Sequence, residues 1–122
     1  MADERNNVER NNMEQTPGAI TEQICRHKGY LILEAGAGTG KTHNLTKRVI
    51  HQLVENDASL ERMLALTFTD FAAAEMRSRI YAAINRNIGT SKHLLATRQR
   101  FSHNYISTFH SFCNRILQYF PR

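Results

Sequence analysis

One stretch constrains this chain more than any other: Glu34-Ala35-Gly36-Ala37-Gly38-Thr39-Gly40-Lys41-Thr42. It follows an apolar run, Tyr30-Leu31-Ile32-Leu33, and opens an amphipathic segment over residues 43–55. Strand, glycine-rich loop, Lys-Thr, helix is the order of a phosphate-binding loop. Gly36, Gly38 and Gly40 carry no Cβ, so the backbone can curl and turn successive N–H groups toward one anion. A helix starting near Lys41 adds its unbonded N–H groups and the positive end of its dipole. Lys41 can reach the β- and γ-phosphates, and the Thr42 hydroxyl can hold Mg²⁺. The general pattern has Gly at position 35, where this chain has Ala35. A glycine-rich run alone also suits a flexible turn. Here the flanking strand, the helix and the Lys-Thr pair all agree on a phosphate loop.

The rest of the chain reads as alternating apolar runs and helical stripes. Residues 1–18 are polar and asparagine-rich, a disordered leader. Residues 19–28 form a short helix on the Ile20 and Ile24 face, with Thr21 as a candidate cap and Gly29 as its stop. Tyr30-Leu31-Ile32-Leu33 does not alternate, which fits a strand buried on both faces of a parallel sheet. Leu45, Val49, Ile50 and Leu53 are the core face of the helix after the loop. A second strand covers residues 63–68. A helix over residues 71–88 follows, capped by Asp70 and striped with Met76, Ile80, Ala83 and Ile84. Arg77 and Arg79 read as solvated charges on it. A short basic helix over residues 91–102 leads to a third strand, Tyr105-Ile106-Ser107-Thr108. A last helix covers residues 109–119, with Phe109 and Phe112 assigned to the core. The pattern is an α/β fold, a parallel sheet with flanking helices. No apolar run after Lys41 closes in Asp-Glu, so the acidic Walker B strand is missing and the P-loop domain reads as incomplete.

Net charge is +5 over 122 residues, enough for one domain or part of one. All 11 acids lie before Met76, whereas half of the 16 Lys and Arg follow it. An acid-free stretch of this kind suits a polyanion, nucleic acid first, or a basic face balanced by acids elsewhere. No apolar run approaches the ~20 residues of a membrane helix, and the start has no signal-peptide core. A cytoplasmic protein without membrane contact is the expectation. Cys25 and Cys113 match no metal spacing and read as reduced thiols; no histidine pair has zinc-site spacing.

Three blocks stand in order: residues 35–42, then Leu66-Thr67-Phe68-Thr69-Asp70-Phe71-Ala72-Ala73-Ala74-Glu75-Met76, then Ser107-Thr108-Phe109-His110-Ser111-Phe112-Cys113. Together they resemble motifs I, Ia and Ib of superfamily 1 DNA helicases of the UvrD/Rep type, including the RecB and AddA helicase–nuclease subunits. Alanine at position 35 is normal in that family. The resemblance covers residues 19–119 and implies the N-terminal part of a RecA-like ATP-binding domain, over residues 19–122. It implies an ATP-driven motor on single-stranded DNA, with Lys41 and Thr42 on Mg-ATP. It also implies that motifs Ia and Ib line the DNA path. On this reading Phe68 stacks on a base, Thr67, Thr69 and Thr108 donate hydroxyls to phosphate, and His110 donates a ring N–H.

Some positions depart from the family. Asp70-Phe71 stands where many members have Asn-Lys, so no DNA contact is assigned to Asp70. His43 stands where many have an arginine that packs on the nucleotide base. Gln23 is the candidate for the adenine-reading glutamine, but it lies closer to the loop than usual. With the acidic strand and an arginine finger both lacking, no catalytic residue is assigned. The expectation is a nucleotide-binding portion that does not hydrolyse ATP at speed by itself, partnered by the remainder of a helicase or a helicase–nuclease complex. Two other classes stay open: a different P-loop ATPase or kinase, and a nucleic-acid-binding module without chemistry.

Overall fold

The computed structural model describes residues 17–33 and 40–120. In chain order they form α1 (Pro17–Arg26), α2 (Lys41–Glu55), β1 (Leu64–Thr67), α3 (Asp70–Asn87), α4 (Lys92–Gln99), β2 (Tyr105–Thr108) and α5 (Phe109–Tyr119). Short 3-10 turns occupy Leu60–Arg62, Ile88–Thr90 and Phe101–His103. The arrangement is mostly helical around a small sheet in which β1 and β2 run parallel, a partial α/β layer. Parallel neighbours cannot be joined by a hairpin; the segment containing α3 and α4 makes the crossover.

Helix α3 organises the core because its apolar residues recur at helical spacing. Met76, Ile80, Ala83 and Ile84 are all buried. Met76, Ile80 and Ile84 form one cluster with Val49 and Leu53 of α2, Leu60, Ala65 of β1, Leu94 of α4 and Ile106 of β2. Each fully buried Leu, Ile or Met contributes about 1.5–3 kcal/mol relative to an exposed position. Helix α1 packs on α2. The Thr21 hydroxyl donates to Asn44 Oδ1 at 2.9 Å, and Arg48 donates to the Ile24 carbonyl.

Several expectations are corrected. Residues 30–33 are not a strand, and Tyr30 and Ile32 are 98% and 73% exposed. A doubly buried strand needs partners on its edges and cover on both faces, whereas β1 and β2 pair only with each other among the described residues. Thr21 lies inside α1, which begins at Pro17, within the stretch read as leader. Asp70 is already helical; the cap of α3 is Thr69, whose extended backbone lets its hydroxyl accept from Ala72 N at 3.1 Å. Leu45 and Phe109 are exposed, and α5 buries none of its side chains fully. The basic helix ends at Gln99. Arg77 and Arg79 are not merely solvated: Arg77 donates to the Ile106 carbonyl at 2.7 Å, and Arg79 bonds Glu75 and His43. The leader up to Thr16 and loop residues 34–39 lie outside the described residues.

Candidate functional site

Two regions carry the residues singled out by the sequence. The first is the start of α2. Gly40 precedes it in the left-handed region, with φ 85° and ψ 25°, which favours glycine. Helix α2 has no side-chain cap and no acid in its first turn. Among the described residues its leading N–H groups receive no cap of the kind that Thr69 gives α3, Ser91 gives α4 and Thr108 gives α5. Such a terminus, with exposed Lys41 and Thr42 at its head, fits a phosphate group. Further in, the Thr42 carbonyl accepts from the Thr46 hydroxyl at 2.7 Å. His43 is exposed on the same turn, with Nδ1 3.2 Å from Arg79 Nη1. Gln23 is exposed on α1, which packs on α2.

The second region is formed by the carboxyl termini of β1 and β2. Parallel register sets Thr67 beside Thr108. The next residues, Phe68 and Phe109, therefore emerge together, with ring centroids 5.3 Å apart and planes tilted by 33°. Phe68 is 91% exposed and Phe71 is 79% exposed. Thr67 is buried and donates its hydroxyl to the Thr69 carbonyl at 3.0 Å. Thr108 is also buried; its hydroxyl donates to Ser111 Oγ at 3.0 Å and accepts from Ser111 N at 3.1 Å. Those two hydroxyls are engaged within the protein, whereas Thr69 and His110 are exposed. Phe109 is the residue that sequence reasoning missed. Its signal was present: a Thr-Phe step ends both strands.

The acid-free half of the chain is not simply free positive charge. Arg100 pairs with Glu61 at 2.8 Å, and the Arg115 guanidinium sits 4.6 Å over the Tyr105 ring. A cavity of about 550 Å³ between α1 and α2 is lined by Arg26, His27, Lys28, Arg48 and His51. Arg26 closes α1, where positive charge complements the helix dipole. Among the described residues no group of His, Cys, Asp and Glu is placed to hold a metal ion. No helix among them is long and apolar enough to cross a membrane.

Residues 18–121 match the UvrD/REP helicase N-terminal domain. The chain belongs to this family. It is 39% identical over 115 residues to an ATP-dependent helicase/nuclease protein of Moorella thermoacetica, a match spanning 89% of this chain and 8% of that protein. The like-named protein of Pelotomaculum thermopropionicum is 40% identical over 107 residues, 83% of this chain and 8% of the relative. The ATP-dependent DNA helicase PcrA of Staphylococcus epidermidis is 39% identical over 98 residues, 80% of this chain and 12% of PcrA. Within the UvrD/REP family, then, this chain spans about a tenth of the length of the curated relatives it matches.

Proposed function

We propose that this chain is the nucleotide-binding end of an ATP-dependent DNA motor, built on a P-loop sheet of the RecA type. The start of α2, free of acid in its first turn and without a side-chain cap among the described residues, carries the proposal. It directly follows a glycine-rich loop whose last glycine is left-handed. Residues 35–42 hold the phosphates of ATP. Lys41 neutralises the β- and γ-oxygens, and the Thr42 hydroxyl takes a place on the accompanying Mg²⁺. His43 and Gln23 face the nucleoside. The relatives are named as ATP-dependent helicase/nuclease proteins and as the ATP-dependent DNA helicase PcrA, which favours ATP and DNA as the ligands.

The exposed Phe68 and Phe109 rings offer a surface for the bases of single-stranded DNA, tolerant of sequence because every base has a flat face. Thr69 and His110 border it and supply polar hydrogens to the backbone. Thr67 and Thr108 serve as the scaffold of that surface, since their hydroxyls are bonded internally. After Lys41 the sequence has no Asp-Glu pair to orient water and metal. The chain therefore binds ATP but does not turn it over quickly. Steady-state hydrolysis with and without oligothymidylate tests this. Expected is nucleotide binding with negligible DNA-stimulated turnover; fast DNA-stimulated hydrolysis by these residues overturns it.

A further inference from the structure

The cavity between α1 and α2 involves neither the start of α2 nor the aromatic surface. The two helices advance side by side: Thr21 bonds Asn44, and Arg48 bonds the Ile24 carbonyl. Their later halves therefore sit together, and residues drawn from 26–29 and 48–56 enclose a space of about 550 Å³. His51, which faces it, lies about 15 Å along the axis of α2 from Lys41.

Arg26, His27, Lys28, Arg48 and His51 surround this space, and none of its lining residues is acidic. Part of the positive charge is used within the fold. Arg26 pairs with Glu22 at 3.0 Å, and one nitrogen of Arg48 holds the Ile24 carbonyl. His27 donates its Nε2–H to the Tyr30 carbonyl at 2.8 Å. Lys28 and His51 have no hydrogen-bond or ion-pair partner among the described residues. The dipole of α1 accounts for Arg26, which closes that helix, but not for His51 inside α2. The Gln52 amide oxygen accepts from Asn56 Nδ2 at 3.0 Å, which leaves the Gln52 NH₂ group as a further donor. Guanidinium and ammonium groups donate and never accept, and the planar fork of arginine matches phosphate oxygens. We propose that this cavity is an anion site, separate from the start of α2, that takes the phosphate groups of a polyanion. Two sources offer such groups: a free oligophosphate and the backbone of a nucleic acid.

The test uses the whole 122-residue chain labelled with ¹⁵N-histidine and carrying Lys41→Ala, which removes the lysine of the proposed nucleotide site. Pyrophosphate titrated at constant ionic strength should shift the His27 and His51 resonances saturably and leave those of His93 and His110 in place. Lys28 is exposed, so its replacement leaves the core intact. Lys28→Gln should weaken the pyrophosphate response of His27 and His51 about three- to tenfold, the span of one hydrogen bond, and Lys28→Arg should restore it. Oligothymidylate separates the sources. The same shifts with oligothymidylate, reversed by pyrophosphate, assign the phosphates to nucleic acid; shifts with pyrophosphate alone assign them to a free oligophosphate. The inference is overturned by equal shifts with sodium chloride at the same ionic strength, by a response centred on His43, or by one that Lys28→Gln leaves unchanged. None of these outcomes depends on whether the start of α2 binds a nucleotide.

Discussion

Thr67 and Thr108 stand side by side in register, and the residue after each is a phenylalanine. A base stacked on such a ring is worth about 1–3 kcal/mol, or roughly 5- to 150-fold in affinity. Phe68→Ala and Phe109→Ala should each weaken oligothymidylate binding within that range, read by fluorescence anisotropy. Because the rings touch, the double variant should lose less than the sum of the two. Unchanged affinity in Phe68→Ala would mean that the rings serve packing alone. At Gly40 the constraint is backbone. A Cβ there would meet His43 Cβ only at 3.9 Å, ordinary contact, but φ is +85°. Gly40→Ala should therefore cost about 1–2 kcal/mol in thermal or urea unfolding through the left-handed conformation, not through crowding. The two thiols should separate by reactivity. Cys25 is buried, and burial pushes its thiol up from the ordinary range; Cys113 is exposed. A raised folded value means that the contribution of Cys25 to stability is complete below the unfolded thiol value and is lost as pH rises past it. Iodoacetamide at neutral pH should label Cys113 first, and Cys25→Ala should lessen the alkaline loss of stability.

Helix starts divide into two kinds. Helices α3, α4 and α5 begin on Thr69, Ser91 and Thr108, whose side chains accept from their own first-turn N–H groups. Helix α2 begins on Gly40 with none. Thr108→Ala should destabilise the fold by about 1 kcal/mol or somewhat more, because the cap is also buried. A comparable change in melting temperature should not follow Lys41→Ala, which removes no cap. This contrast was legible only in part. The stripe Met76, Ile80, Ala83 and Ile84 could be read directly, because helical periodicity belongs to the segment itself. The strands β1 and β2 and the start of α2 were readable for similar local reasons. Residues 30–33 were not, because an apolar run becomes a strand only when another edge pairs with it. The Arg79–His43 contact joins residues 36 positions apart, and nothing local to either announces it. Phe109 looked like core because an aromatic opening a helix usually is; only the parallel register brings it out beside Phe68.

At the scale of the molecule, the chain spans about a tenth of the length of the relatives it matches. Its positive charge is concentrated after Met76, yet Arg77, Arg79, Arg100 and Arg115 all have partners within the protein. Binding of single-stranded DNA should accordingly depend on salt with a shallow slope, about 0.7 in log–log terms for each phosphate contacted and only a few such contacts. A steep slope would point to a broad electrostatic surface in place of the aromatic one. The proposed nucleotide site is the most direct point of attack. Fluorescent ATP should be titrated into the wild type and Lys41→Ala at matched salt and Mg²⁺. The expected result is saturable wild-type binding that weakens at least roughly tenfold in Lys41→Ala while affinity for oligothymidylate is retained, as loss of a charge-assisted contact to phosphate requires. Equal ATP affinity in the two proteins would contradict a phosphate-binding role for the start of α2.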